Sequence, residues 1–231
     1  MRIVRTFGLA LIAAAILPAA ASAQSAAQGT SQGATQGPRD FKDSWFWGIR
    51  GGSTTFTAGA DGSSRVYAPS VGFEWLITRS RVALNLSVDQ SFFDDQAGVF
   101  DPTVAGSVRP VSISDMRSYQ GSVFFFPKQY GSMRPYAGLG VALNVIQNAD
   151  PQGTFANSDS QSEILTTVED QTSRASAIFT LGVQAQVQRA SLFVQGASMP
   201  TRHRFLLNGS ANTFQLQAGV RYNLVGAIEK F

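Results

Sequence analysis

The segment FQLQAGVRYNL, residues 214–224, alternates between apolar and polar side chains without interruption. Its apolar residues are Phe214, Leu216, Ala218, Val220, Tyr222 and Leu224, and between them lie Gln215, Gln217, Gly219, Arg221 and Asn223. Because successive side chains of a β-strand point to opposite faces, this pattern predicts a strand with one apolar and one polar face. What the chain can fold into therefore depends on whether the apolar face contacts a protein core or lipid.

The N-terminal residues have the pattern of a targeting segment. Arg2 and Arg5 precede an apolar stretch that ends in Ala21-Ser22-Ala23. This order predicts a secretory signal peptide over residues 1–23, cleaved before Gln24, with a single membrane-anchoring helix as the alternative. Residues 24–44 are rich in Gln, Ala, Ser, Thr and Gly, which predicts a disordered periplasmic leader.

Composition excludes two classes of function. The chain has no cysteine, so neither a disulfide framework nor thiol chemistry is available. Removing Arg2 and Arg5 from 18 basic residues leaves 16 against 15 acidic ones. A nearly neutral chain without clustered basic residues does not indicate nucleic-acid binding.

Seven further segments resemble the opening one in pattern, so that eight strands are predicted. The eight predicted strands, the opening segment included, span residues 45–56, 66–78, 81–93, 112–126, 134–148, 174–188, 191–205 and 214–224. A tilted strand needs about 9–11 residues to cross a bilayer, and each segment is long enough.

The predicted connections differ in length according to their order. Those after strands two, four and six are short, whereas the other four are polar and two of them are long, at residues 94–111 and 149–173. Short turns on one side and long loops on the other are typical of outer-membrane barrels. The sequence therefore predicts an all-β protein, an eight-stranded antiparallel up-and-down transmembrane β-barrel over residues 45–226, with a tail at residues 227–231.

Aromatic residues cluster near the predicted ends of the strands. Those near the short turns are Trp45, Trp47, Trp75, Phe124, Phe125, Tyr136 and Tyr222, and those near the long loops are Phe92, Phe93 and Phe214. Two aromatic belts at the membrane interfaces are expected for such a barrel. A soluble lipid-binding barrel, with its apolar face turned inward, is the alternative architecture.

The polar faces of the strands predict what fills the barrel. An eight-stranded barrel is just wide enough for its own side chains, so we expect a packed polar interior. A turn at Arg79-Ser80 would pair Glu74 with Asn85, and a hairpin centred on Gly62 would pair Arg50 with Glu74. Together with Asp89 and Arg221 these residues predict a lumenal charge network that acts as structural filling or as a gate. Five glycines on the inward face would make room for it or relieve strand curvature: Gly72, Gly138, Gly140, Gly182 and Gly219.

The C-terminal strand also carries a motif. Gln217-x-Gly219-x-x-Tyr222-x-Leu224 resembles the C-terminal signal read by the barrel-assembly machinery, and the final Phe231 resembles the terminal aromatic residue of bacterial outer-membrane proteins. In most such proteins the motif ends at the terminus, whereas VGAIEKF follows Leu224 here.

Residues 45–226 are similar in architecture to the small barrels of the outer-membrane protein A, outer-membrane protein X and opacity-protein type. The resemblance implies outer-membrane localisation, an assembly-machinery partner, and a non-enzymatic role in envelope integrity or surface interaction.

Other functions rest on few residues. Arg202, His203 and Arg204 are predicted at the outer rim, where they would contact lipopolysaccharide phosphates. A lipid-A-modifying enzyme would depend on His203, the only histidine, but Phe205 stands where the deacylase pattern has a serine. A narrow channel for small solutes is the third alternative. Scattered acidic residues in the loops lack calcium-binding spacing, so neither a metal nor a cofactor is expected.

Overall fold

A computed structural model describes residues 41, 43–58, 64–200, 206 and 212–226. The predicted signal peptide over residues 1–23, most of the predicted leader over residues 24–44, and the predicted tail over residues 227–231 lie outside this part of the chain.

Eight antiparallel strands close into a barrel in which each strand pairs with its neighbours in sequence, and β8 pairs with β1. The strands are β1 (Ser44–Ala58), β2 (Ser64–Arg79), β3 (Val82–Phe100), β4 (Val108–Phe125), β5 (Met133–Pro151), β6 (Ser173–Val187), β7 (Ala190–Pro200) and β8 (Asn212–Gly226). One helix, α1 (Ser158–Asp170), lies between β5 and β6. The predicted fold class is therefore confirmed.

The described helical residues include no segment with both the length and the apolar character of a bilayer-spanning helix.

The apolar face of the strands points outward. On β8, Phe214 and Leu216 are 50% and 65% exposed, whereas Gln215 and Gln217 are buried. The same alternation of exposed apolar and buried side chains recurs along β3, β6 and β7. A band of exposed leucine, valine and phenylalanine around a barrel is stable only in contact with lipid. The alternative of a soluble barrel with an apolar interior face is therefore wrong.

The two ends of the barrel differ, which sets its orientation. The start of β1, the end of β8 and the short turns after β2, β4 and β6 lie at one end. In outer-membrane barrels short turns face the periplasm and longer connections face outward, so this end is the periplasmic end. The segment containing α1 and the hairpin between β3 and β4 lie at the extracellular end.

The β3–β4 hairpin is longer than predicted. Residues 94–111 were expected to form a loop, but the two strands remain paired up to Phe100 and Val108. The register shifts between Ser91 and Asp94, close to Asp115, whose backbone is left-handed at φ 54°. This bulge changes which residues of β4 face inward and so hides the alternation in the sequence.

Helix α1 was not predicted, because residues 149–173 read as a polar loop. Asn157 caps its N-terminus, and the Asn157 side chain accepts a hydrogen bond from the Ser160 backbone nitrogen at 2.8 Å. Ile164 and Val168, one helical turn apart, are buried in the apolar cluster at the extracellular end. Three apolar residues in thirteen, of which Leu165 is exposed, give too weak a periodic signal for a helix to be predicted.

Most of the predicted aromatic belt is confirmed. At the periplasmic end, Trp45, Trp47 and Trp75 form an outward cluster with Phe73, and the ring centroids of Trp47 and Phe73 lie 4.8 Å apart. Three assignments were wrong. Phe124 and Tyr136 are buried inside the barrel with ring centroids 5.0 Å apart, and Phe93 packs on the buried Phe56.

The interior is layered rather than polar throughout, which corrects the prediction of a polar core. An apolar cluster fills the periplasmic end, and it consists of Phe41, Phe46, Leu76, Ala83, Phe124, Phe126 and Tyr136. A second apolar cluster fills the extracellular end and includes Phe56, Val99, Ile113 and the two buried residues of α1. Charged and amide side chains lie between them, together with a small apolar cluster on β5, β6 and β7 that consists of Ala142, Ile178, Ala197 and Met199. Phe41 packs into the barrel although it falls within the predicted leader.

Candidate functional site

The centre of the barrel holds two arginines and two carboxylates, all buried. Arg50 on β1 and Asp89 on β3 form a bidentate pair, in which Nε donates to Oδ1 at 2.7 Å and Nη2 donates to Oδ2. Paired N–H groups and a carboxylate fit each other in geometry and in charge. This contact spans β2, whose residue at that level is Gly72.

Glu74 on β2 is shared by both arginines. Its Oε1 accepts from Arg221 Nε at 2.5 Å, and its Oε2 lies 3.3 Å from Arg221 Nη2 and 3.4 Å from Arg50 Nη1. Asn85 Nδ2 also donates to Oε2, at 3.2 Å. The two positive and two negative groups cancel, so the structure places the four predicted residues in one neutral network.

Glycine makes this network possible. Gly48 lies between Glu74 and Arg221 on neighbouring strands, and Gly72 lies between Arg50 and Asp89. A Cβ atom at Gly48 would lie 2.9 Å from Glu74 Cγ and 3.1 Å from Arg221 Cγ, which is closer than side chains pack. The expectation that inward glycines make room for long side chains holds at Gly72 and extends to Gly48. At Gly138, Gly182 and Gly219 the space is taken by aromatic rings, those of Phe124, Tyr136 and Phe193.

The predicted cross-strand pairs were each wrong by two residues. Glu74 is opposite Ser87 rather than Asn85, and Arg50 is opposite Gly72 rather than Glu74. The β2–β3 turn consists of Ser80 and Arg81, one residue later than predicted, and this moves every β2–β3 pair by two. The β1–β2 pairs differ from the prediction by the same two residues. A shift of two keeps each side chain on its face, so the contacts still form diagonally.

Amide side chains surround the charges and cross the lumen. Gln217 on β8 donates to Asp89 Oδ1 at 3.0 Å. Gln120 on β4 donates to Asp89 Oδ2 and to Gln215 Oε1 on β8, both at 3.0 Å. Because β4 and β8 are on opposite sides of an eight-stranded barrel, the bond between Gln120 and Gln215 spans the lumen.

The remaining strands join the same network. Arg221 Nη1 donates to Gln184 Oε1 on β6 at 2.6 Å. The Tyr136 hydroxyl on β5 donates to Gln195 Oε1 on β7 at 2.9 Å, and Gln195 Nε2 donates to Gln217 Oε1 at 3.0 Å. All eight strands therefore contribute to a continuous hydrogen-bonded layer.

A second charged cluster, missed in the sequence, lies at the extracellular end. Arg109 Nε donates to Asp101 Oδ2 at 2.6 Å, and both side chains are buried. Arg109 Nη1 donates to the Gln152 carbonyl oxygen at 2.8 Å, and Nη2 donates to that of Thr154 at 3.2 Å. The guanidinium carbon lies 4.2 Å from the centroid of the Phe155 ring. These contacts, named here the Arg109 clasp, join the β3–β4 hairpin to the segment before α1.

The Asp101 carboxylate also accepts hydrogen bonds from within its own turn. Its Oδ1 accepts from the Thr103 hydroxyl at 2.6 Å and from the Thr103 backbone nitrogen at 2.8 Å. The hydrogen bond from the Thr103 hydroxyl, followed by that from Arg109, holds the pKa of Asp101 below its usual range. Asp101 is therefore charged at neutral pH.

Other predicted site residues have different outcomes. Arg202, His203, Arg204 and Phe231 lie outside the described residues, so the lipopolysaccharide contact and the terminal aromatic signal remain predictions. Within the motif, Gln217 faces the lumen, while Tyr222 and Leu224 are exposed to lipid. Across the part of the chain that the structure describes, no group of three or more His, Cys, Asp or Glu residues could hold a metal ion.

Comparisons with known proteins bear on the fold. No protein-family model and no curated protein matches the sequence. The crystal structure of Neisserial surface protein A (NspA) is similar with a TM-score of 0.50 and 11% identity, over 78% of this chain and 97% of that one.

Two further structures are more distant. Ail, the attachment invasion locus protein of Yersinia pestis, has a TM-score of 0.41 and 10% identity over 79% of this chain and 99% of its own. OprG from Pseudomonas aeruginosa has a TM-score of 0.39 and 14% identity over 79% and 94%. The closed barrel and its apolar exterior define this chain as a small eight-stranded barrel of the bacterial outer membrane.

Replacing Glu74 by Gln tests the central network. The substitution leaves two buried arginines with one carboxylate, so we expect it to lower the free energy of unfolding by about 3–5 kcal/mol. Urea unfolding in lipid vesicles, followed by tryptophan fluorescence, measures this. Glu163→Gln on the exposed face of α1 is the matched control, with an expected change within about 0.5 kcal/mol. Equal effects of the two substitutions would contradict the network's role.

The Arg109 clasp should depend on pH. A lowered pKa means that charged Asp101 stabilises the clasp above the carboxyl's ordinary pKa of about 4, and that this stabilisation is lost as pH falls through the lowered value. The Gln152 backbone nitrogen donates to the Pro110 carbonyl oxygen at 2.8 Å, so the exchange of this amide reports on the clasp. We expect its protection to persist at neutral pH and to fall in strong acid.

Asp101→Asn provides the comparison for that experiment. We expect weak protection of the Gln152 amide at neutral pH in this variant and little further loss in acid. Identical protection in the variant and the original chain at neutral pH would show that the carboxylate does not hold the two segments together.

Proposed function

We propose that the barrel anchors a rigid extracellular platform through which the protein contacts a partner outside the cell. The platform consists of the outer part of the β3–β4 hairpin, the outer end of β5, and helix α1. The observation that carries the proposal is the pairing of β3 with β4 as far as Phe100 and Val108, well beyond the aromatic residue Phe92 that marks the outer interface.

The platform is built to keep its shape. Pro151 at the end of β5 pairs with Val111, so a third strand supports the hairpin. Ile164 and Val168 of α1 pack into the extracellular apolar cluster, and the Arg109 clasp fixes the chain that leads to α1. Such preorganisation lowers the entropy lost when a surface binds a partner.

The filled lumen argues against the alternative of a narrow channel. Side chains from every strand meet in the central layer, and apolar clusters occupy both ends of the barrel.

The alternative of a lipid-A-modifying enzyme rests on His203. That residue lies outside the described residues, and no other observation supports this alternative. Envelope integrity remains a second candidate, supported by the continuous hydrogen-bonded layer that would make the barrel a stable element of the membrane.

Removing the platform tests the proposal. We expect a variant with short turns in place of residues 95–113 and 152–172 to abolish attachment of expressing cells to one another and to abiotic surfaces, without changing detergent resistance. Unchanged attachment, together with lost detergent resistance, would contradict the proposal and favour envelope integrity. A shift in gel migration between boiled and unboiled samples shows that the shortened barrel has folded.

The orientation is checked with a matched pair of cysteine substitutions, since the chain has no cysteine of its own. Ser162→Cys on α1 should react with a membrane-impermeant maleimide on intact cells, whereas Ser132→Cys in the β4–β5 turn should react only after the outer membrane is opened.

A further inference from the structure

The periplasmic rim of the barrel is strongly basic. Its charged side chains in the described residues are Arg79, Arg81, Lys128, Arg134 and Arg189, against the single acidic residue Asp43. The extracellular end has the opposite balance, because α1 alone carries Asp159, Glu163, Glu169 and Asp170. The central network is neutral and does not account for this asymmetry.

Three of the basic residues converge on one cleft. A cavity of about 260 Å³ lies between the β2–β3 turn and the β4–β5 turn, and Arg81, Lys128 and Arg134 line it together with the rings of Phe41 and Phe126. None of the described residues that line it is acidic. The cleft therefore combines positive charge with an apolar wall.

The wall of the cleft is fixed by packing. The rings of Phe41 and Phe126 meet edge to face with centroids 4.9 Å apart, and the Arg134 guanidinium lies 4.3 Å above the Phe41 ring. Arg134 Nε donates to Gln129 Oε1 at 3.1 Å, and the Phe126 backbone nitrogen donates to the Arg81 carbonyl oxygen at 2.8 Å. The last bond ties together the two turns that form the cleft.

The position of the cleft relative to the lipid-facing surface bears on which ligand it would accept. Val82 and Phe125, which directly follow Arg81 and precede Phe126, are exposed on the lipid-facing surface. The cleft thus lies at the periplasmic edge of the apolar band, at the depth of lipid headgroups. Arginine and lysine bind phosphate through charge-assisted hydrogen bonds, and apolar walls suit the glycerol and first methylenes of a lipid.

We propose that this cleft binds the phosphate headgroup of an anionic phospholipid of the inner leaflet. The same chemistry would accept free phosphate, but the aromatic wall and the adjoining lipid surface favour the phospholipid. The site is independent of the proposed extracellular platform, because the two lie at opposite ends of the barrel.

The chain's own tryptophans report on this site. All three lie in the outward cluster on β1 and β2 at the periplasmic end, and Trp75 is four residues from Arg79. The protein is reconstituted in mixed vesicles in which either phosphatidylglycerol or phosphatidylcholine carries brominated acyl chains, which quench tryptophan fluorescence. We expect stronger quenching by brominated phosphatidylglycerol at equal mole fractions, which gives a relative affinity for the anionic lipid.

A pair of variants with equal charge loss makes the test specific. Arg81→Gln/Lys128→Gln removes two charges from the cleft, and Arg79→Gln/Arg189→Gln removes two from the same rim outside it. A cation near an anionic membrane surface raises the affinity for that surface about fivefold. We therefore expect the first variant to lose the preference for phosphatidylglycerol and the second to keep most of it. The gel shift on boiling confirms that both variants are folded.

Three results would overturn the proposal. The first is an absence of preference in the original chain, and the second is an equal loss in both variants, which would reflect only the total charge of the rim. The third is that the protein binds inorganic phosphate in zwitterionic micelles, that Arg81→Gln/Lys128→Gln abolishes this binding, and that vesicles show no lipid preference. This combination would assign the cleft to free phosphate.

Discussion

The burial of two arginines against two carboxylates inside the barrel is the constraint on which the rest of the structure depends. Removing such charges from water is costly, and only close pairing with further hydrogen bonds makes it tolerable. Arg50, Glu74, Asp89 and Arg221 meet this requirement because Gly48 and Gly72 leave space on the strands between them. The glutamine side chains then satisfy the remaining oxygens and extend the layer to every strand.

The alternation of the strands made the barrel and its central layer predictable from the sequence. Which face a side chain takes depends only on whether its position along the strand is odd or even. An error of two residues in the register at Glu74 therefore leaves the same side chains facing inward. In the aromatic belt, Phe124 and Phe125 are adjacent on β4, so one of the two rings has to face inward. Proximity to a strand end does not decide the face, and Phe124 is the buried one.

The extracellular end was predicted poorly for physical reasons. The bulge near Asp115 reverses the parity of β4, so the outer part of the hairpin shows no single alternating pattern. Arg109 contacts residues more than forty positions away in the chain, at Gln152 and Thr154, and no local pattern indicates such a contact. Helix α1 depends on burial of Ile164 and Val168 in a cluster that only the folded hairpin provides.

The three layers of the interior have different structural roles. The neutral central layer joins the eight strands, the extracellular apolar cluster seats α1, and the periplasmic aromatic cluster supports the basic rim. The residues of the platform and of the basic rim lie at the two ends, where the apolar clusters pack beneath them. The side chains of the central layer and of the two apolar clusters fill the lumen of the described barrel.

Conductance across planar lipid bilayers tests this account most directly. Purified and refolded protein is added at rising concentration while current is recorded at constant voltage in concentrated potassium chloride. A lumen spanned by the contacts of Gln120 with Gln215 and of Gln217 with Asp89 predicts insertion without current steps. Discrete steps that grow with salt concentration would show a continuous aqueous path and would contradict the filled lumen.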